Sequence, residues 1–314
     1  QVAAAPSRRT PPQGAPRARS RLRRKAAMAE RGSEAERAEA QCAAVRQRLT
    51  EIEAVIEEEG PEEEEVTPTG QPAVSGPANR VVVRFPEDRG EVLVTIGTSR
   101  DAEVPGLVPR ISAIVDAAYT QAGKHKRVDE YDAMHRLQMG DAGPRANRVL
   151  HLAYLGEELV GCASSTYSPG WTPDGCGHWG LLAVDPAHQG KGIATALVLA
   201  AERRLAMVSE MVQIEYQYMD GDEHSEKLMA WYEDRLGFHG GPRPKRPGYS
   251  TFRRCHKLIP EGQQRRGRRR RLEEIRSWLA EQLAQAEAAV AAAAQSPSAG
   301  SPLGGHSGSA VVSL

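Results

Sequence analysis

The chain has 314 residues and no formal net charge, with 41 Lys and Arg against 41 Asp and Glu. Hydrophobic residues make up 40% but aromatic ones only 5%, so a packed core fits part of the chain rather than all of it. No apolar run approaches the roughly 18 residues of a membrane span, and four scattered cysteines without a CxxC pair exclude a disulfide scaffold and point to a reducing, cytoplasmic compartment.

The neutral total hides strong segregation along the chain. Residues 1–29 carry eight basic side chains and no acidic one, and are expected to be a basic, disordered arm. A transit peptide for an organelle or a non-native start are the alternatives, since the chain opens at Gln1 and its first methionine is Met28. Residues 30–59 read as an amphipathic helix, because Cys42, Val45, Leu49, Ile52 and Ile56 recur at intervals of three and four. Such a seam suits a partner helix, the domain itself or self-association. Residues 60–79 are an acidic, then Pro- and Gly-rich linker.

Residues 80–260 are charge-balanced, with 22 basic and 23 acidic side chains. Strand patterns fall at 91–97, 149–154, 159–167, 178–184, 212–219 and 251–259, with Gly156 in the turn of a hairpin. Helical spacing marks 107–119, 129–139, 192–208 and 226–236. The order predicts an α/β domain in which helices cover a mixed sheet. Beyond it, Arg265–Arg271 opens an Arg-rich amphipathic helix over 261–294, and 295–314 is a Ser/Gly/Pro tail expected to be disordered. The arginines lack interleaved aromatics, which points away from nucleic acid.

The stretch that carries chemistry is Leu181–Leu197, LLAVDPAHQGKGIATAL. A strand runs through Asp185-Pro186 into Gln189-Gly190-Lys191-Gly192 and then a helix. The glycines allow a close approach to the main chain, and the free N–H groups of a helix start favour a phosphate or pyrophosphate. Asp185 stands where a Walker A loop needs its first glycine, and Thr195 breaks the dinucleotide fingerprint. Cys176-x-His178 offers too few ligands for a metal.

Gln189, Gly192 and Ala194, in the pattern Q-x-x-G-x-A behind Leu182-Ala183-Val184, resemble the acetyl-CoA pyrophosphate signature of the GNAT superfamily of N-acetyltransferases. The helix ending in Trp231-Tyr232-Glu233-Asp234-Arg235-Leu236-Gly237-Phe238 is similar to the second motif of that superfamily. The resemblance implies a GNAT-like mixed sheet with helical or disordered extensions, and acetyl-CoA as co-substrate. It implies that Leu182, Ala183 and Val184 present main-chain groups to the pantetheine, and that Gln189, Gly190, Lys191, Gly192, Ile193 and Ala194 hold the pyrophosphate. Ser225 stands where the motif commonly has an Asn that contacts pantetheine. Tyr232 takes the place of the general acid that protonates the leaving thiolate. Two departures are an interval from Tyr232 to Gly237 that is one residue longer than usual and the long loop Asp220–His224.

For the proton on the attacking amine, His178 and Glu215 are the candidate acceptors. The implied reaction is direct attack of a small-molecule or peptide primary amine on the thioester in a ternary complex, with no membrane involved. The alternative is a degenerate GNAT fold that binds coenzyme A or acts as a helical scaffold without catalysis.

Overall fold

A computed structural model describes residues 16–58, 71–86, 90–121, 128–243 and 249–295, with side chains described between residues 36 and 292 of these ranges. In chain order the elements are α1 (Pro16–Glu58), β1 (Ala73–Ser75), β2 (Arg80–Arg84), β3 (Glu91–Ile96), α2 (Ser99–Ala102), α3 (Leu107–Gln121) and α4 (Glu130–Gln138). They continue with β4 (Arg148–Leu155), β5 (Glu158–Thr166), β6 (Cys176–Val184), α5 (Ile193–Leu205), β7 (Met211–Met219), α6 (Glu223–Met229), β8 (His239–Gly240), β9 (Ser250–Leu258) and α7 (Glu261–Gln295).

Among the described residues the strands form one sheet in the order β1-β2-β3-β4-β5-β6-β7-β9-β8. Every neighbouring pair is antiparallel except β6 and β7. Period-two alternation sends successive side chains to opposite faces. Leu152 and Cys162 therefore pack with Ile111, Ile114 and Leu137 of α3 and α4, while their neighbours Ala153 and Ala163 pack with Ile193, Leu197 and Ala200 of α5. The second face continues over β7, where Ile214 and Tyr216 join Trp179, Tyr232 and Phe238. This is the mixed, helix-covered sheet that the strand and helix patterns predict.

The chain divides into two compact units. The one from Ile52 to Trp278 holds the sheet. The other takes in Gln1–Glu51 and Leu279–Leu314, of which 16–51 and 279–295 are described. Within it Arg46 and Glu287 form an ion pair at 2.6 Å, open to solvent. On α1 the seam residues Cys42, Val45, Leu49, Ile52 and Ile56 are buried or half-buried, and the residues between them are exposed.

Three boundaries differ from the sequence reading. The helix begins at Pro16, inside the expected disordered arm, because the Arg-, Ala- and Leu-rich stretch after it consists of good helix formers and proline suits a first helical turn; residues 1–15 lie outside the described residues. The linker expected over 60–79 contains β1, whose three residues pair with Val82–Arg84 of β2; residues 59–70 are not described. The unit also runs past residue 260, because the start of α7 is part of it. Gly267 lies directly on the main chain of Ala206 and Met207, Arg270 is buried, and Glu274 accepts the N–H of Ala78 at 2.9 Å. Arg269 donates to the carbonyl of Ile56 at 3.3 Å, and the guanidinium of Arg145 lies 4.5 Å over the Trp278 ring. The expected tail over 295–314 falls outside the described residues apart from Gln295, the last residue of α7. Among the described residues no helix is long and apolar enough to cross a membrane.

The seat of α7 reverses the usual effect of a helical glycine. Gly→Ala in an exposed helix stabilises by about 1 kcal/mol. At Gly267 a Cβ would lie 2.2 Å from the Ala206 carbonyl oxygen and 2.4 Å from its carbon, so α7 would have to lift. Gly267→Ala is expected to lose about 1–3 kcal/mol in chemical denaturation of the full chain. A raised midpoint would mean that α7 does not seat there.

Candidate active site

The site starts where two strands stop pairing. β6 and β7 are paired only at Cys176–Met211, Gly177–Val212 and His178–Gln213. Beyond His178 the strands part, and the β7 side of Trp179–Val184 has no ladder partner. On the other side of β6 the register with β5 slips between Cys162 and Ser164. Opposite the slip, Leu181 holds a left-handed φ of 50°. A bulge of this kind re-aims a strand and stores strain of order 1–3 kcal/mol, which the surrounding pairing must hold. The gap forms a cavity of about 640 Å³ bordered by Leu182 and Val184 on one side, Tyr216 and Gln217 on the other, and Trp231 and Tyr232 just after α6.

At the far end of β6 the chain turns into α5. Asp185 caps the turn: one carboxylate oxygen accepts the Ala187 N–H at 2.9 Å and the other takes Arg110 at 2.6 Å. These contacts, the N–H of Ala187 first, outweigh desolvation and hold its pKa below the usual carboxylate range. Gly190 and Gly192 follow with φ of 79° and 85°, a backbone that only glycine adopts without strain. The first intrahelical bond of α5 runs from Ala196 N to Gly192 O, so the N–H groups of Ile193, Ala194 and Thr195 have no partner inside the helix. They face a second cavity of about 1040 Å³ that shares Val184, Gln189, Ala194 and Trp231 with the first. A strand-lined slot thus opens directly onto a helix start with partial positive charge.

Tyr232 borders the slot from a π turn, Ala230–Arg235. Leu236 N bonds to Trp231 O and Phe238 N to Tyr232 O, each at 3.0 Å. A π turn takes up one extra residue, which absorbs the longer interval between Tyr232 and Gly237. The ring of Tyr232 lies 4.8 Å from that of Tyr216 and 4.9 Å from that of Trp231. Burial, with smaller contributions from Tyr119 and Cys255, pushes its pKa up. Tyr119, which borders the same cavity, is pushed up to about 12 chiefly by burial. The π turn is anchored by the next residue. Glu233 receives Arg253 of β9 through two bonds, Nε to Oε1 at 2.5 Å and Nη2 to Oε2 at 2.8 Å, and the Tyr216 hydroxyl at 2.7 Å. The Arg253 fork holds the Glu233 carboxyl below its usual range.

The structure gathers most of the sequence-predicted residues and leaves some out. Leu182 and Val184 border the slot, Gln189 and Ala194 border both cavities, and Gly190, Lys191, Gly192 and Ile193 border the larger one. Ala183 points into the core under α3. Ser225 is buried at the start of α6 and borders neither cavity. Its hydroxyl donates to Asp222 at 2.8 Å and accepts the Met219 N–H at 3.2 Å. That cap joins β7 to α6, which occupies the hydroxyl expected to meet pantetheine. His178 also borders neither cavity and packs edge-on against Trp171 at 5.7 Å. Glu215 borders the slot, with Oε1 accepting Arg254 at 2.7 Å and Gln213 at 3.1 Å.

The sequence reading missed Trp231, Arg235, Lys257 and Phe85 in the larger cavity and Tyr119 and Phe252 in the slot. Trp231, directly before Tyr232, was the one with a local signal. Among the described residues no three His, Cys, Asp or Glu could hold a metal ion.

Residues 109–238, which contain the bulge, the glycine loop and the π turn, match the model of the Acetyltransferase (GNAT) family. An acetyltransferase from Thermus thermophilus is 20% identical, covering 53% of this chain and 97% of its own at a TM-score of 0.38. A GNAT acetyltransferase from Streptococcus pneumoniae is 13% identical, covering 54% and 99% at a TM-score of 0.42. The PaiA N-acetyltransferase of Thermoplasma acidophilum, solved with coenzyme A, is 12% identical, covering 54% and 99% at a TM-score of 0.39. No curated protein sequence matches the chain.

The fork on Glu233 gives a stability prediction. Its partners are only 7% and 19% exposed in their side chains, and removing one member of such a pair leaves an uncompensated charge at a cost of about 3–5 kcal/mol. Arg253→Met should lose about that much. Adding Glu233→Met should recover part of it, since an apolar pair replaces the stranded carboxylate. A double variant no more stable than the single one would show that the fork does not hold α6.

Proposed function

We propose that the unit holding the sheet transfers the acetyl group of acetyl-CoA to an amine. The observation that carries this reading is the continuity of two features within the segment that matches the GNAT family model: a slot walled by unpaired strand backbone, and a glycine-turned helix start at its end. The residues present fit the co-substrate. A Cβ at Gly190 would meet nothing within 4 Å, so a ligand can approach the main chain there. The amides of Ile193, Ala194 and Thr195 converge beside it and suit a pyrophosphate. Leu182 and Val184 would offer main-chain partners to a pantetheine arm in the slot.

Acetyl-CoA would supply a thioester that an amine can attack directly. The chain's own part is to orient that thioester, to stabilise negative charge on its carbonyl oxygen with main-chain N–H groups of β6, and to return a proton to the leaving sulfur. Tyr232 is suited to the last task. A phenol keeps its proton at neutral pH, so it has one to donate when the thiolate forms beside it. Glu215 is the retained candidate for taking the amine's proton, because it borders the slot and His178 does not. The acceptor is an amine of a small molecule or a peptide.

Titration with acetyl-CoA in a thermal-shift assay tests the reading, since a ligand that binds only the folded state raises the melting temperature with concentration. No shift at saturating acetyl-CoA would leave a scaffold instead of an enzyme. Tyr232→Phe, followed by coenzyme A release with a panel of amines, tests the mechanism. Loss of a general acid should lower kcat at least about tenfold with acetyl-CoA affinity retained. Full turnover with an unchanged melting temperature would remove Tyr232 from the chemistry.

A further inference from the structure

The β2–β3 hairpin precedes the segment that matches the family, yet it reaches the glycine loop. The turn after β2 is closed by a bond from Phe85 N to Gly90 O at 3.0 Å and by an ion pair between Arg84 and Glu91 at 3.2 Å. Pairing of β3 with β4 lays this hairpin along the flank of α5, where Val81, Val83, Val92 and Val94 share a core cluster with Ile193, Ala196 and Leu197. Phe85 packs on the edge of that cluster. Its ring covers Gly192 so closely that a Cβ there would lie 2.6 Å from Cζ and 2.7 Å from Cε1. The same ring borders the 1040 Å³ cavity beside Gly190, Lys191 and Gly192.

Gly192 is the N-cap of α5 and has no side chain with which to close the turn itself. A loop with two glycines at positive φ has many other states available when nothing presses on it, and ordering it on binding would weaken affinity. The aromatic ring supplies the missing restraint from outside. It also excludes water from one side of the amides, where a hydrogen bond to an anion is stronger.

We propose that Phe85 is a positioning residue of the coenzyme site: its ring holds the Gly190–Gly192 loop in the form that aims its amides at the pyrophosphate. This rests on the reading of that loop as the pyrophosphate cradle. It makes a hairpin outside the family segment part of the binding machinery, and it explains why Gly192 tolerates no Cβ on two independent grounds, its φ and the ring above it.

The test uses the full chain with Phe85→Ala and Phe85→Leu, and two probes: coenzyme A, and pantetheine, which lacks the pyrophosphate and adenosine. Calorimetric Kd values and melting temperatures are measured for each. Coenzyme A should bind about tenfold more weakly to the Ala variant and about threefold more weakly to the Leu variant, which keeps apolar bulk but no ring. Pantetheine affinity should change less than twofold in both. A merely structural contact would weaken both probes equally or leave both unchanged, and either result overturns the proposal. Tighter binding of coenzyme A would make the ring an obstruction and overturn it as well. If the Ala variant does not fold, the Leu variant decides, and wild-type affinity for coenzyme A in it sinks the idea. Wild-type chain that binds neither probe would instead remove the coenzyme reading itself.

Discussion

The parting of β6 from β7 after His178 and Gln213 is the constraint on which the site depends. A sheet that stayed paired would bury the backbone of Trp179–Val184 in a ladder and leave no slot. Buried main-chain groups need partners, so a strand that gives up its ladder there must face solvent or a ligand. The left-handed Leu181 and the slipped register with β5 are the local means of parting. Beyond them β6 leads into the start of α5, while β7 leads into α6. The wedge between them ends at a helix start that presents free amides.

Keeping the wedge open requires that its two flanking helices be fixed separately. On one side α5 is held by the core under β4 and β5, and by Lys257 of β9, which reaches Glu202 at 2.7 Å. Further along, the main chain after α5 carries Gly267 of α7 against it. On the other side α6 is pinned through Asp222 and Ser225 at its start and through the Arg253 fork on Glu233 at its end. The π turn itself carries the second of those anchors. An insertion that would otherwise rotate Tyr232 away is absorbed there, and tilted packing against Tyr216 and Trp231 fixes the ring at the slot.

Two regions outside the family segment therefore belong to the working unit. The β1–β3 strands extend the sheet and bring Phe85 to the glycine loop. The first turns of α7, with Arg269, Glu274 and Trp278, tie the end of α1, the β1–β2 turn and the segment before β4 to one another. These contacts join residues far apart in the chain, and none of them has a local sequence signal.

Local chemistry made much of this protein legible from its sequence. The glycines at 190 and 192, the hairpin around Gly156 and the helix stripes are set by neighbours within a few residues, so the loop, its helix and the strands β3, β4, β5, β6, β7 and β9 could be read directly, whereas β1, β2 and β8 could not. The tertiary structure alone decided which side chains meet. Ser225 turns to cap α6 because Asp222 and Met219 are at hand. His178 falls outside the slot because β6 is still paired at that residue. Phe85 lies on Gly192 only because two intervening strand pairings place a hairpin beside a helix more than a hundred residues later. Propensity and spacing act over one turn of helix or one pleat, whereas a binding site is set by long-range pairing and by where that pairing stops.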